Sequence, residues 1–324
     1  MKDASDNDRS WLAHVPVPLF ASVMGLSGLG LAWRRAAYDM GWASEVGEGI
    51  LVVAALAFLG TATLYVAKAV RYPGVVADEF RNPARSSFFA AITIGLMLLS
   101  VGLEPYSAPA GEALWIVSVL GHLVVALAVF RQWFVHNIDI RHASPAWFIP
   151  VVGNVVAPLG AAVFGYIEVG WFFFSVGIVF WMALLPVILN RIIFHDQMPV
   201  RFMPTLVILL APPSVGFLSY LGLNEGGIDI FARVLFFVAL FIAMLIVSLI
   251  GLLVRAPFAV SWWAYTFPSA ALSLAAVRYG AAVGGIVSST LANVLLVLAT
   301  LIVFGVFART VVALFAGRLF VPEN

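Results

Sequence analysis

Residues 230–253 read IFARVLFFVALFIAMLIVSLIGLL, 24 positions in which Arg233 is the one charged residue. A helix that crosses the hydrocarbon core of a bilayer needs about 20 mostly apolar residues. The run is continuously apolar rather than alternating, which excludes the ten-residue pattern of a membrane β-strand. Comparable runs occupy 16–33, 47–70, 86–103, 113–134, 147–166, 169–190, 200–221, 259–279 and 285–315. Together they predict an all-α polytopic membrane protein with ten crossings. The chain divides into a tail at 1–15, a membrane domain at 16–315 and a second tail at 316–324. The first ten residues are polar, and the first run ends at Trp33-Arg34-Arg35 with no small-residue cleavage site. That run is therefore expected to stay as a helix rather than be removed as a signal peptide.

Composition points the same way. Of 324 residues, 63% are hydrophobic and 10% charged, against about 25% charged in an ordinary soluble domain. A soluble globule, a disordered chain and a nucleic-acid binder are excluded; the net charge of +1 leaves no basic excess for phosphate backbones. Cysteine is absent, which removes disulfides, thiolate nucleophiles and Cys-based metal sites. No metal or cofactor is expected. No loop is long enough to fold as a catalytic domain, so an enzyme is not expected.

Ten crossings place both tails on one side. Of the 17 Lys and Arg, 13 fall on that side; Arg34, Arg35, Arg233 and Arg278 are the four on the other. The positive-inside rule puts both termini in the cytoplasm. Arg81, Arg85, Arg131, Arg141, Arg191 and Arg201 make the cytoplasmic mouth basic. They raise local anion concentration there, or they serve topology alone.

Inside the membrane, ionisable groups are nearly missing. His122 is the exception. It reads either as a proton-sensitive relay or as a neutral imidazole bonded to a neighbouring helix. Ion-coupled pumps need titratable midplane groups, and intramembrane proteases need paired catalytic groups. The interior instead offers glycines, hydroxyls and aromatics, which suits a neutral-walled conduit passed down a gradient. Anions are tolerated in such a conduit by backbone N–H groups and helix N-termini.

Prolines fall mostly on odd-numbered crossings: Pro158 on the fifth, Pro212 and Pro213 on the seventh and Pro268 on the ninth, with Pro186 on the sixth as the even-numbered counterpart. Each removes a backbone donor and is expected to kink its helix. Kinked and plain helices alternate, which predicts five hairpins whose odd members surround an axis. Gly25, Gly95, Gly153, Gly216 and Ser273 are candidate pore-lining residues on those odd helices; close helix packing is the competing reading of the glycines.

Four strings then carry a resemblance. They are MGLSGLGLAW at 24–33, RNPARSSFF at 81–89, PAWFIPVVGN at 145–154 and WWAYTFP at 262–268. Together they resemble the tellurite-resistance/dicarboxylate transporter family, which includes bacterial TehA-type proteins and plant guard-cell slow-type anion channels. The likeness runs from the first crossing to the tenth. The polar tails of plant members are not in this sequence, so it resembles the compact bacterial form, in the inner membrane. The resemblance implies a homotrimer, embedded in lipid, with a pore in every protomer. It also implies an anion channel closed by the Phe of WWAYTFP, which is Phe267. One departure is Asn82-Pro83, where a His-Pro is often found. The expected partners are small inorganic or organic anions. A carrier for C4-dicarboxylates or tellurite-type oxyanions is the alternative; it would need polar midplane groups, for which Asn154, Thr205, Ser214 and Ser273 are the candidates.

Overall fold

The computed structural model describes residues 11–321. Residues 1–10, with Lys2 and Arg9, and residues 322–324 lie outside the described residues, so the two tails are described only in part. The helices in chain order are α1 (Ala21–Met40), α2 (Ser44–Arg71), α3 (Pro73–Arg81), α4 (Ala90–Leu103), α5 (Ala108–Val135) and α6 (Phe148–Phe164). Then come α7 (Ile167–Phe194), α8 (Ala211–Leu223), α9 (Ile230–Ser248), α10 (Ile250–Leu253), α11 (Thr266–Val283) and α12 (Ile286–Phe315). The described residues contain no strand.

Five hairpins account for this order: α1 with α2, α4 with α5, α6 with α7, α8 with α9, and α11 with α12. Some turns within hairpins are tight because glycine takes a left-handed conformation at the end of the first helix. Gly41 ends α1 at φ 72° and Gly165 ends α6 at φ 84°. Connections between hairpins are longer, and each delivers the chain into the next hairpin through a 3₁₀ segment, as does the stretch ahead of the first hairpin. These segments are Val17–Phe20, Ser86–Phe89, Pro145–Trp147, Val200–Leu210 and Val260–Tyr265. The first helix of every hairpin has such a lead-in, and no second helix does.

The two members of each hairpin have different surroundings. α1, α4, α6, α8 and α11 touch one another in that order, and α11 closes the ring on α1. The second helix of each hairpin packs on its own partner and on the next ring member; α12, for example, packs on α11 and α1. Burial follows. The apolar windows through α1, α4, α6 and α8 are 61–89% buried, whereas those of α2, α5, α7, α9 and α12 are 22–39% buried. The outer helices present large apolar residues outward, such as Leu56, Leu127, Met182, Phe241 and Leu301. The molecule is a multi-span membrane protein with an inner ring and an outer ring.

Nine helices among the described residues are long and apolar enough to cross a membrane. The segment expected as the ninth of ten crossings, 259–279, is not among them. It is helical from Val260 to Val283, but it carries Thr266, Ser269, Ser273 and Arg278. Surrounded by other helices, it has little contact with lipid to select for apolar side chains. The run at 230–253 is also not one helix. α9 stops at Ser248, and Leu249 (φ −94°, ψ 8°) leaves the helical conformation before α10. Its 19 residues already reach about 28 Å, close to the hydrocarbon thickness.

The prolines divide into two kinds. Pro158 lies inside α6, as expected of a kink. Nearby carbonyls of α6 are taken up by neighbours: the Trp115 indole N–H donates to Ala157 O (3.0 Å) and the Ser219 hydroxyl to Val155 O. Pro212 and Pro213 instead occupy the first turn of α8, and Pro268 is the third residue of α11. A first turn has no intrahelical partner for the missing N–H. These three prolines therefore mark where 3₁₀ lead-in becomes α-helix and are not mid-helix kinks.

Candidate functional site

Among the described residues, two cavities lie along the axis of the inner ring, and all five ring helices or their lead-ins contribute to both. The first, about 30 Å³, is lined by Ala21, Met24, Phe88, Ile149, Val152, Ile208, Ala211, Trp263, Ala264, Phe267 and Pro268. These residues belong to the N-terminal ends of the ring helices and to their lead-ins. The second, about 450 Å³, is lined at the C-terminal ends by residues including Leu31, Arg34, Arg35, Val101, Glu104, Leu159, Leu218, Leu274 and Arg278.

The neck between them is short. Met24 and Leu31 on α1, Val152 and Leu159 on α6, and Ala211 and Leu218 on α8 line opposite cavities at a spacing of seven residues. Seven residues are two turns, so the same face continues, and the rise is about 10 Å. Phe267 is at the edge of the neck, 5% exposed. Its ring is seated on Gly28: a Cβ added there would stand 3.2 Å from Phe267 Cδ2 and 3.3 Å from Ala270 Cβ. Gly28 thus provides the space that the ring occupies.

Gly25, Gly95, Gly153, Gly216 and Ser273 line neither cavity. The glycines lie where helices press together. An added Cβ would stand 2.0 Å from Thr266 Oγ1 at Gly25, 3.0 Å from Val23 at Gly95, 1.9 Å from the His122 ring at Gly153 and 3.3 Å from Ile178 at Gly216. Ser273 is fully buried and donates to Ala270 O at 2.8 Å. The cavity walls come instead from apolar side chains, joined by arginines at the C-terminal ends. The other polar candidates are also satisfied locally: Asn154 by Pro150 O (2.8 Å), Thr205 by Phe202 O (2.7 Å) and Ser214 by Leu210 O (2.8 Å).

His122 is fully buried on α5. Its Nε2 is 3.1 Å from Pro150 O of α6, and its Nδ1 is 2.9 Å from the Thr93 hydroxyl of α4. A carbonyl only accepts, so Nε2 carries the proton and donates. The ring ties one outer helix to two inner ones and lines neither cavity.

Buried charge does occur, at helix ends. Lys68, 1% exposed, donates to Val15 O (2.7 Å) and Glu79 (2.8 Å), and the Tyr65 hydroxyl donates to the same carboxylate (2.8 Å). Lys68 is one of the 13 positive residues on the side of the tails, and its pairing with Glu79 is visible only in the fold. Ion pairs also lie on the connections. Arg141 bonds Asp139 at 2.6 Å and holds its carboxyl well below the usual carboxylate range. Arg81 pairs with Asp78 at 3.2 Å.

The larger cavity has a different electrostatic character. Arg34 donates to both oxygens of Glu48 (2.7 and 2.6 Å) and to Gly102 O (2.9 Å). Arg35 pairs with Asp39 at 2.5 Å. Arg278 has no hydrogen bond or ion pair among the described residues.

A closed ring of hairpins around an interrupted axis is an architecture for moving a solute. The family model described as SLAC1, voltage-dependent anion channel, matches residues 14–311. The chain belongs to this family. The SLAC1 family is one of anion channels and transporters rather than enzymes. The S-type anion channel SLAH3 of Arabidopsis thaliana is 27% identical over 98% of this chain and 52% of its own length. The guard cell S-type anion channel SLAC1 of the same plant is 25% identical over the whole chain and 61% of its own length. The tellurite resistance protein TehA homolog of Haemophilus influenzae is 27% identical over 82% of this chain and 81% of its own. The chain thus spans about half to three-fifths of the length of these plant relatives.

Proposed function

We propose that the chain is a gated channel that passes small anions down their electrochemical gradient through the axis of the inner ring, with Phe267 as the gate. One observation carries this reading: two cavities, each walled by ring helices or their lead-ins from all five hairpins, are separated by an apolar neck where the Phe267 ring rests on Gly28. A hydrophobic constriction stops ions by dewetting, because no water remains to solvate the charge. The ring helices all direct their N-terminal ends at the smaller cavity, which places partial positive charge where an anion enters. Phe267→Ala is expected to give a large constitutive anion current in voltage clamp. A folded, membrane-inserted variant that conducts no more than the parent protein would refute the gate.

The C4-dicarboxylate or oxyanion carrier has less support. Such a carrier needs polar groups free to grip substrate at the neck. Asn154, Thr205, Ser214 and Ser273 all spend their donors on nearby backbone carbonyls. Flux that saturates at low substrate concentration, with counter-transport, would favour the carrier instead.

The proposal includes ten crossings, with α11 and its lead-in as the ninth, and both termini in the cytoplasm of a bacterial inner membrane. It also includes a homotrimer with one pore per protomer. The sequence has no cysteine, so single cysteines introduced at 141 and 225 report sidedness directly. A membrane-impermeant thiol reagent applied outside should label 225 and not 141. Cross-linking of the purified protein should stop at three chains.

A further inference from the structure

The larger cavity lies at the C-terminal ends of the ring helices, where backbone carbonyls leave partial negative charge. An anion that has passed the neck therefore meets an unfavourable field unless side chains offset it. Four charged residues line this cavity: Arg34, Arg35, Arg278 and Glu104. Arg34 is neutralised by Glu48 and Arg35 by Asp39. Arg278 is half-buried with no carboxylate in ion-pairing distance and no hydrogen-bond partner among the described residues. Its guanidinium reaches toward the α8–α9 turn, 4.0 Å from where a Cβ on Gly226 would stand. Glu104 follows α4, which is not next to α11 in the ring; α1 separates them.

A guanidinium has five N–H donors and keeps its charge. Drawn partly out of water without a partner, it costs free energy that a bound anion would recover. We infer that Arg278 is an anion-binding subsite in the cavity beyond the Phe267 neck, taking a small inorganic anion on its guanidinium. Arg35 flanks the subsite from α1 with its charge already balanced. Asp39, the partner of Arg35, is the carboxylate within electrostatic reach of Arg278 and limits its affinity. The anion's use of this subsite during conduction rests on the channel reading; its binding does not.

Two measurements separate those statements. In crystals of the unaltered protein soaked in bromide, anomalous density is expected within hydrogen-bonding reach of the Arg278 guanidinium and is expected to vanish in R278Q. Absence of that density at saturating bromide overturns the subsite whatever the protein conducts. In the Phe267→Ala background, the external chloride concentration for half-maximal current is expected to rise at least about tenfold on adding R278Q, the scale of one charge-assisted hydrogen bond. R278K should keep part of the effect, because it keeps the charge and loses the fork. Equal values with and without R278Q overturn the subsite while leaving the channel intact. If Phe267→Ala passes no current, the channel reading fails and the bromide density alone decides the subsite.

Discussion

Glycine does its work here as the partner of a particular side chain. In lipid the hydrophobic effect does not drive helices together, so close packing and hydrogen bonds must. Gly25 admits Thr266, Gly28 admits Phe267, Gly153 admits His122 and Gly160 admits Trp115. Gly153→Ala places a methyl 1.9 Å from the His122 ring, inside a layer held by Thr93 and Pro150. Overpacking of this kind costs about 1–3 kcal/mol. Thermal unfolding in detergent should show that loss, and His122→Ala in the same chain should return part of it. An unchanged midpoint for Gly153→Ala would mean that the two helices separate freely at this contact.

At the scale of elements, electrostatics fixes ends. Lys68, Glu79 and Tyr65 join α2 to α3, and Lys68 also holds the backbone at Val15 ahead of α1. Lys68→Met leaves the Glu79 carboxylate buried without its cation, which costs about 3–5 kcal/mol. Adding Glu79→Gln should restore much of it; equal unfolding midpoints for the single and double variants would deny the coupling. Asp229 caps α9, accepting from the Ala232 N–H at 2.9 Å and from the Tyr220 hydroxyl. These bonds, the backbone one foremost, hold its carboxyl below the usual range. A depressed carboxylate contributes stability that is fully present above its unfolded value and is lost as pH falls through the folded one. Hydrogen exchange at the Ala232 amide should thus stay slow through neutral and mildly acid pH and quicken only in stronger acid. In Asp229→Asn the acid-dependent step should disappear.

Over the whole molecule, the inner and outer rings face different surroundings. Spin labels at 56, 127, 182, 241 and 301, all strongly exposed positions on the outer helices, should meet dissolved oxygen from the bilayer. Labels at 155 and 277, both fully buried on the inner ring, should not. Low oxygen access at all five would deny that the outer ring is a lipid-facing surface.

Much of this organisation is legible in the sequence. Apolar runs of crossing length determine a helical membrane protein, because a backbone in lipid must satisfy its own hydrogen bonds. The motif strings determine the family, and the alternation along the chain shows which helix of each hairpin is buried. The sequence overstated the uniformity of the crossings: 230–253 breaks at Leu249 and 260–283 is less apolar than the rest. Side-chain partnership is what only the tertiary structure decided. The string at 24–33 contains Gly25, Gly28 and Gly30 without distinguishing the one that seats Phe267. The prolines at 212, 213 and 268 read as kinks until the 3₁₀ lead-ins place them in first turns. Arg34, Arg35, Arg233 and Arg278 look alike in the sequence, yet the first two are paired where they line the larger cavity and Arg278 is not. Hydropathy is carried by each residue along the chain, whereas contact, cavity and charge balance arise between helices remote in sequence.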